Sequence, residues 1–214
     1  MDDFIAERRR QIAFDMLQHA NLVFQCVLVA TIVAIALAVL INRVKALEPV
    51  ANAVSAVGLT LPSFALVGLL LPLSGLGTTT AFLCVVFYAV LPVLRNAVVG
   101  LAGVDQTLLE SARGMGMGPV GVLLKVQIPL AWPVILAGVR TSMQMSMGIA
   151  AIAAYVLGPG LGAYIWTGLV QTGGANALNY AVVGTVGIVI VALVADLLLL
   201  ALGRLTISKG VRVA

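Results

Sequence analysis

The chain has 214 residues, 62% of them hydrophobic and 9% charged, with 12 Lys and Arg against 8 Asp and Glu for a net charge of +4. An ordinary soluble domain carries about 25% charged residues, and no soluble core of this length could hide so much apolar surface. Composition therefore excludes a soluble globular protein and points to an integral membrane protein. The positive charges are spread over several loops, which argues against a nucleic-acid patch.

The first residues, MDDFIAERRRQIAF, are acidic and amphipathic and precede no small-residue cleavage site, so they do not read as a signal peptide. Residues 1–19 are expected to form an extracytoplasmic amphipathic segment. Five apolar runs follow, at about 20–41, 46–73, 79–102, 131–157 and 180–202. Each is long enough for a helix to cross a bilayer, which takes about 20 residues, and none has the two-residue alternation of a barrel strand. The expected fold is an all-α integral membrane protein with about five transmembrane helices. Its transmembrane domain covers 20–204, and 205–214 form a cytoplasmic tail. The second run contains Pro62, whose halves are too short to cross separately. One span, kinked or broken at Pro62, is expected, with its freed backbone groups satisfied inside the protein.

Five spans put the ends on opposite sides, and the basic residues choose which. With the C-terminus inside, Arg43, Lys45, Arg95, Arg113, Lys125, Arg140, Arg204, Lys209 and Arg212 lie in the cytoplasm or towards it. Only Arg8, Arg9 and Arg10 remain outside, among Asp2, Asp3, Glu7 and Asp15. The positive-inside rule selects this orientation.

Between the third and fourth spans, about 104–130 form a polar loop in which charge, glycine and proline collect. Asp105 is placed to cap a short helix, with Val104 and Leu109 as a hydrophobic staple. Leu108, Leu109, Ala112 and Met115 fall on one face, while Glu110 and Arg113 form an i,i+3 pair. Gly114, Gly116 and Gly118 weaken this helix, and Pro119 can open a second. The second carries Val122, Leu123, Lys125 and Val126 and is expected to stop at Pro129. The product is a stiff helix-turn-helix on the cytoplasmic side, offered to a soluble partner or folded onto the membrane surface.

Other residues admit plainer readings. Cys26 and Cys84 lie in apolar runs, where a thiol acts as a small hydrophobe. Arg95 and Arg140 can snorkel towards the cytoplasmic face. Gln144 lies one turn beyond Arg140, on a face that points into the bundle. Asp196 is expected to be paired or close to the inner surface, and His19 has no metal-site spacing. Gly58, Gly68, Gly100 and Gly138 are read as sites of close helix approach. Tyr155, Tyr164, Trp166 and Tyr180 fit an interfacial aromatic belt, although aromatic faces also attract quaternary ammonium. No phosphate-binding loop and no nucleophile–base constellation is present, so the chain is not expected to be an enzyme or to use ATP itself.

The loop carries a resemblance. Glu110, Ser111 and Ala112, then three residues and Gly116, then nine residues and Val126, Ile128 and Pro129 resemble the cytoplasmic signature of permease subunits of binding-protein-dependent ATP-binding-cassette importers. Ser111, Val126 and Ile128 replace the usual Ala, Ile and Leu. Residues 61–77, 87–96, 110–119, 126–142 and 151–165 are similar to glycine betaine, carnitine and choline permeases of osmoprotectant importers. One departure is Gly158-Pro159-Gly160-Leu161-Gly162, where the family has Ala-Gly-Gly-Leu-Gly; the run Met143, Met145, Met147 is another, suggesting a changed pore lining.

The resemblance implies that the loop couples to a cytoplasmic ATPase, Glu110 making polar contact and Gly116 allowing close backbone approach. It implies two ATPase subunits holding ATP and Mg, a second identical or homologous permease chain, an extracytoplasmic solute-binding protein, and a bacterial cytoplasmic membrane location. Pro62, Ser63, Phe64, Arg140 and Gln144 are candidates for the translocation path or gate. No cofactor or metal is expected on this chain. The same fold could import another small solute such as an amino acid; a stand-alone channel or scaffold is the remaining alternative.

Overall fold

The computed structural model describes residues 1–207; Lys209, Arg212 and most of the expected C-terminal tail lie outside the described residues. Among those described, the architecture is entirely helical. Helix α1 runs Asp2–Arg43, α2 Glu48–Thr60, α3 Ser63–Ser74 and α4 Thr78–Ala102. The loop forms α5 (Gln106–Gly114) and α6 (Pro119–Val122), followed by a π-helical turn Leu123–Gln127 and α7 (Ile128–Ile152). A 3-10 turn Ala153–Val156, α8 (Gly162–Val170) and α9 (Ala177–Thr206) complete the chain.

Four helical stretches are long and apolar enough to cross a membrane: Asp2–Arg43, Thr78–Ala102, Pro119–Val156 and Ala177–Thr206. Helices α2 and α3 add a fifth crossing if counted together, bent by 97° at Leu61–Pro62. The chain direction makes them one crossing. Cys26 of α1 donates to the Phe82 carbonyl of α4 (3.7 Å), and Arg43 shares a cavity with Arg113 just beyond α4. Helices α1 and α4 are therefore parallel, and the chain between them must return from one end of the bundle to the other.

Pro62 cannot donate a backbone hydrogen bond, and Leu61 before it is extended (φ −62°, ψ 130°). Tyr88, near the middle of α4, donates its hydroxyl to the freed Leu61 carbonyl (2.7 Å), so the break is satisfied internally. The expected amphipathic N-terminal segment and first span are one unbroken helix. At 42 residues α1 is about 63 Å long, twice the roughly 30 Å hydrocarbon core.

The centre is α4, flanked by α1 and α7. Small residues set the spacing. A Cβ on Gly138 would stand 2.7 Å from Asn96 Cβ, and on Gly100 3.2 Å from the Ala131 carbonyl, so α4 and α7 meet almost backbone to backbone. Gly58 packs likewise against Leu91; Gly68, also expected at a close contact, has no neighbour within 4 Å. Ser142, fully buried, donates to the Ala89 carbonyl (2.8 Å) across the α4–α7 seam. Cys26 and Cys84 are buried and unbridged, as small hydrophobes should be. His19 is buried, its Nε2 donating to the Met147 carbonyl (3.2 Å).

Candidate functional site: the two-helix knob and the exposed face of α7

The knob is built as its residues dictate. Asp105 accepts from the Thr107 N–H (2.8 Å), capping α5. Val104 and Leu109, the two ends of the staple, are both buried. The helix ends in a Schellman motif: Gly116 N–H reaches the Arg113 carbonyl (2.9 Å) and Met117 N–H the Ala112 carbonyl (3.1 Å). Gly116 has φ +86°, which a side chain would strain. Within this chain its Cβ position is open, so the positive φ, not close packing, requires glycine there.

Three expectations for the loop are corrected. The buried face of α5 is Leu109 and Ala112 alone; Leu108 and Met115 are exposed, Met115 by 73%. Glu110 and Arg113 are both exposed and do not pair. Pro129 does not stop the second helix. The π-turn Leu123–Gln127 widens the ladder ahead of it, where Pro129 cannot donate, and the helix continues from Pro119 to Val156. Val126 and Ile128 are half-buried and pack against the core. Gln127, buried between them, donates to the Leu101 carbonyl at the end of α4 (3.1 Å). This bond ties the two roots of the knob together, and no sequence motif singled it out.

The knob therefore holds a firm inner face and an outer face carrying Glu110, Ser111, Met115, Val120 and Leu124, all exposed. Around it gather Arg43, Lys45, Arg113 and Lys125, and Trp132 donates to Thr206 Oγ1 (2.8 Å), bringing the end of α9 and Arg204 to the same end of the bundle. The opposite end holds the N-terminus of α1, the α3–α4 turn and α8. There Gly77 N–H bonds the Val156 carbonyl (2.6 Å).

The second group of candidates lies on α7. Arg140 is held by a neighbouring helix. It makes a bidentate pair with Asp196 of α9, both bonds 2.9 Å, and Gln144 adds a third at 3.2 Å. The pair lies at the middle of α7 and about two-thirds of the way along α9, with side-chain exposures of 35% and 21%. Beside it, Ala137, Thr141, Gln144 and Gly148 are exposed at successive turns, a stripe that the described helices leave largely uncovered, with Gln144 reaching Asp196 of α9 from its edge. Gln144 thus lies at the bundle's surface and not in its interior, contrary to its expected direction.

At the outer end of the stripe comes Tyr155, whose ring meets Phe64 (4.5 Å between centroids). Phe64 follows the Pro62–Ser63 break, so the two groups of path candidates are joined through this contact. Of the methionine run, Met143 and Met147 turn away into an apolar cavity of about 560 Å³ bounded by α1 and α9, and only Met145 is exposed. Gly162 of the divergent segment folds back on α7, where a Cβ would overlap the Ala151 carbonyl. No cluster of metal-ligating residues occurs among the described residues.

Residues 22–207 match the family described as binding-protein-dependent transport system inner membrane component. The chain is similar to the choline transport system permease protein OpuBB of Bacillus subtilis, 34% identical over 98% of this chain and 94% of that protein. It is 34% identical to the glycine betaine/carnitine/choline transport system permease protein OpuCB of the same organism, over 99% and 96%. The osmoprotectant import permease protein OsmW of Salmonella typhimurium is 36% identical over 91% of each. Among solved structures, an inward-facing form of the MetNI methionine ABC transporter superposes with a TM-score of 0.71 over 94% of this chain and 96% of its own, at 17% identity. That likeness concerns the fold.

Proposed function

The chain belongs to the binding-protein-dependent transport system inner membrane component family, and on that premise we propose that it is the permease subunit of an ATP-driven importer of quaternary ammonium osmoprotectants such as choline, glycine betaine or carnitine. The observation that carries the solute class is 34% identity, over nearly the full length of each chain, with relatives named for choline and for glycine betaine, carnitine and choline. In this reading the N-terminus is extracytoplasmic and the knob and C-terminus are cytoplasmic. The concentration of Arg43, Lys45, Arg113, Lys125 and Arg204 at the knob's end supports that orientation.

Two permease chains, identical or homologous, enclose a path. Two ATPase subunits, which hold the ATP and Mg, seat the knobs, and an extracytoplasmic receptor delivers solute. The knob suits this work because its exposed apolar side chains, Met115, Val120 and Leu124, can be buried by a partner while Gln127 keeps its base rigid. Glu110 supplies polar contact to the ATPase, and Gly116 holds the turn. The α7 stripe with Arg140, Thr141 and Gln144 lines the path, since a polar mid-membrane face facing lipid would be costly. Pro62, Ser63 and Phe64 form its outer gate. Motion of the ATPases pulls the knobs together, and α7, continuous with the knob, carries that motion to the stripe.

The test is uptake by proteoliposomes containing the permease, its ATPase and its receptor. ATP-dependent accumulation of labelled choline or glycine betaine is expected, and Glu110→Lys with Gly116→Leu should abolish it together with ATPase association. Accumulation of an amino acid in place of quaternary ammonium solutes would overturn the solute class; full coupling in both variants would overturn the knob's role.

A further inference from the structure

Two groups of aromatic rings lie at the bundle end opposite the knob, and they differ in what they hold. In one, Phe4 and Tyr180 meet edge to face (4.8 Å), and the Arg8 guanidinium lies 4.4 Å from the Phe4 centroid and 5.9 Å from that of Tyr180. That group carries a cation of its own chain. In the other, Phe64 from α3, Tyr155 from the 3-10 turn and Trp166 from α8 converge, with centroids 4.5 Å and 4.1 Å apart. Their planes are inclined at 90° and 53°, so the rings form a corner and not a stack. Among the described residues, no side-chain cation rests on them.

These rings are also open. Phe64, Tyr155 and Trp166 are 50%, 40% and 38% exposed, whereas Tyr164 beside the first group is buried. A belt of aromatic anchors needs only that each ring sit at membrane-surface depth. It does not require three rings from separate elements to meet, nor that one of them, Tyr155, continue the α7 stripe of Ala137, Thr141, Gln144 and Gly148.

We propose that Phe64, Tyr155 and Trp166 form a binding station for a quaternary ammonium group at the outer end of the α7 path, an inference that rests on the solute class proposed above. A quaternary nitrogen has no N–H to donate, so carbonyls and carboxylates cannot hold it by hydrogen bonds. Its charge is diffuse and its surface is methyl, and the negative faces of inclined rings satisfy both. Such a station accepts the cationic head as it gives up water on entering the membrane. Because each ring contributes only modestly, binding is weak enough for the solute to move on to Thr141 and Gln144.

The test uses the full permease–ATPase complex in nanodiscs without the receptor, labelled with 5-fluorotryptophan, the Trp166 signal being assigned by its loss in Trp166→Phe. Choline should shift this signal saturably. Tyr155→Leu should weaken the response about fivefold or more, since one cation–π contact is worth about 1 kcal/mol, and Tyr155→Phe should restore it. Phe64→Ala serves as a second variant should Tyr155→Leu fail to assemble. The uncharged isostere 3,3-dimethylbutan-1-ol should bind at least about tenfold more weakly than choline, because it has the methyls without the charge. No shift with choline, an equal shift with the neutral alcohol, or indifference to both Tyr155→Leu and Phe64→Ala would overturn the station. Receptor-dependent uptake in the same preparations separates the two ideas: uptake without a Trp166 response sinks the station alone, and a response without quaternary ammonium uptake sinks the solute class alone.

Discussion

At the scale of single residues, the Arg140–Asp196 pair is the most consequential contact. An arginine at the centre of a membrane helix costs about 2.5–3.5 kcal/mol on insertion scales when alone; partial solvent access to this pair lowers that figure, and Asp196 offsets much of the remainder. Asp196→Leu should therefore lower the unfolding temperature of the purified protein by several degrees, and the double variant Arg140→Met, Asp196→Leu should recover most of the loss while still impairing uptake. A double variant no more stable than the single one, measured by thermal unfolding, would mean that the pair does not neutralise itself. The sequence supplied both charges and the expectation that Asp196 is paired. It could not say with whom, because 55 residues separate 140 from 196 and only the antiparallel register of α7 and α9 brings them opposite.

At the scale of elements, the broken second span depends on one hydroxyl. Pro62 prevents a continuous helix, and Tyr88 occupies the Leu61 carbonyl that the break exposes. Tyr88→Phe leaves that carbonyl without its partner, at a cost of about 1–3 kcal/mol for a group away from water. Amide hydrogen exchange in the first turn of α3, Ser63 to Leu66, should then accelerate about tenfold or more while α4 exchanges as before. Unchanged exchange in α3 would remove Tyr88 from the support of the break. The proline, the requirement for internal satisfaction and the capping of α5 by Asp105 were all legible in sequence, because each is a local rule. The π-turn before Pro129 was not: a proline is compatible with a stop or with a widened helix, and packing of Gln127 against the end of α4 selects the second.

At the scale of the molecule, the parallel course of α1 and α4 and the antiparallel course of α4, α7 and α9 give the bundle one basic end and one end bearing α8 and the aromatic groups. The orientation proposed above can be read in cells with Cys26 and Cys84, both buried, replaced by Ala. A cysteine at Thr172 should react with an impermeant maleimide in intact cells, and one at Met115 only after permeabilisation, each by a factor of about ten or more over the reverse. The opposite pattern would invert the topology.

Composition and local spacing by themselves determined that this protein is membrane-embedded and all-helical, where the second, third and fifth spans begin and end to within a few residues, that the second is broken at Pro62, and that a capped two-helix knob follows the third; the early start of α1 and the unbroken run from the knob into α7 were not read. The features that were read follow from hydropathy and from backbone rules that act within a turn or two of helix. Only the tertiary structure decided which face of α7 is left largely uncovered, that Arg140 meets Asp196, and that Phe64, Tyr155 and Trp166 come together. Those depend on how helices distant in sequence are rotated against one another, which the small residues Gly100 and Gly138 set by letting α4 and α7 approach at one angular face only.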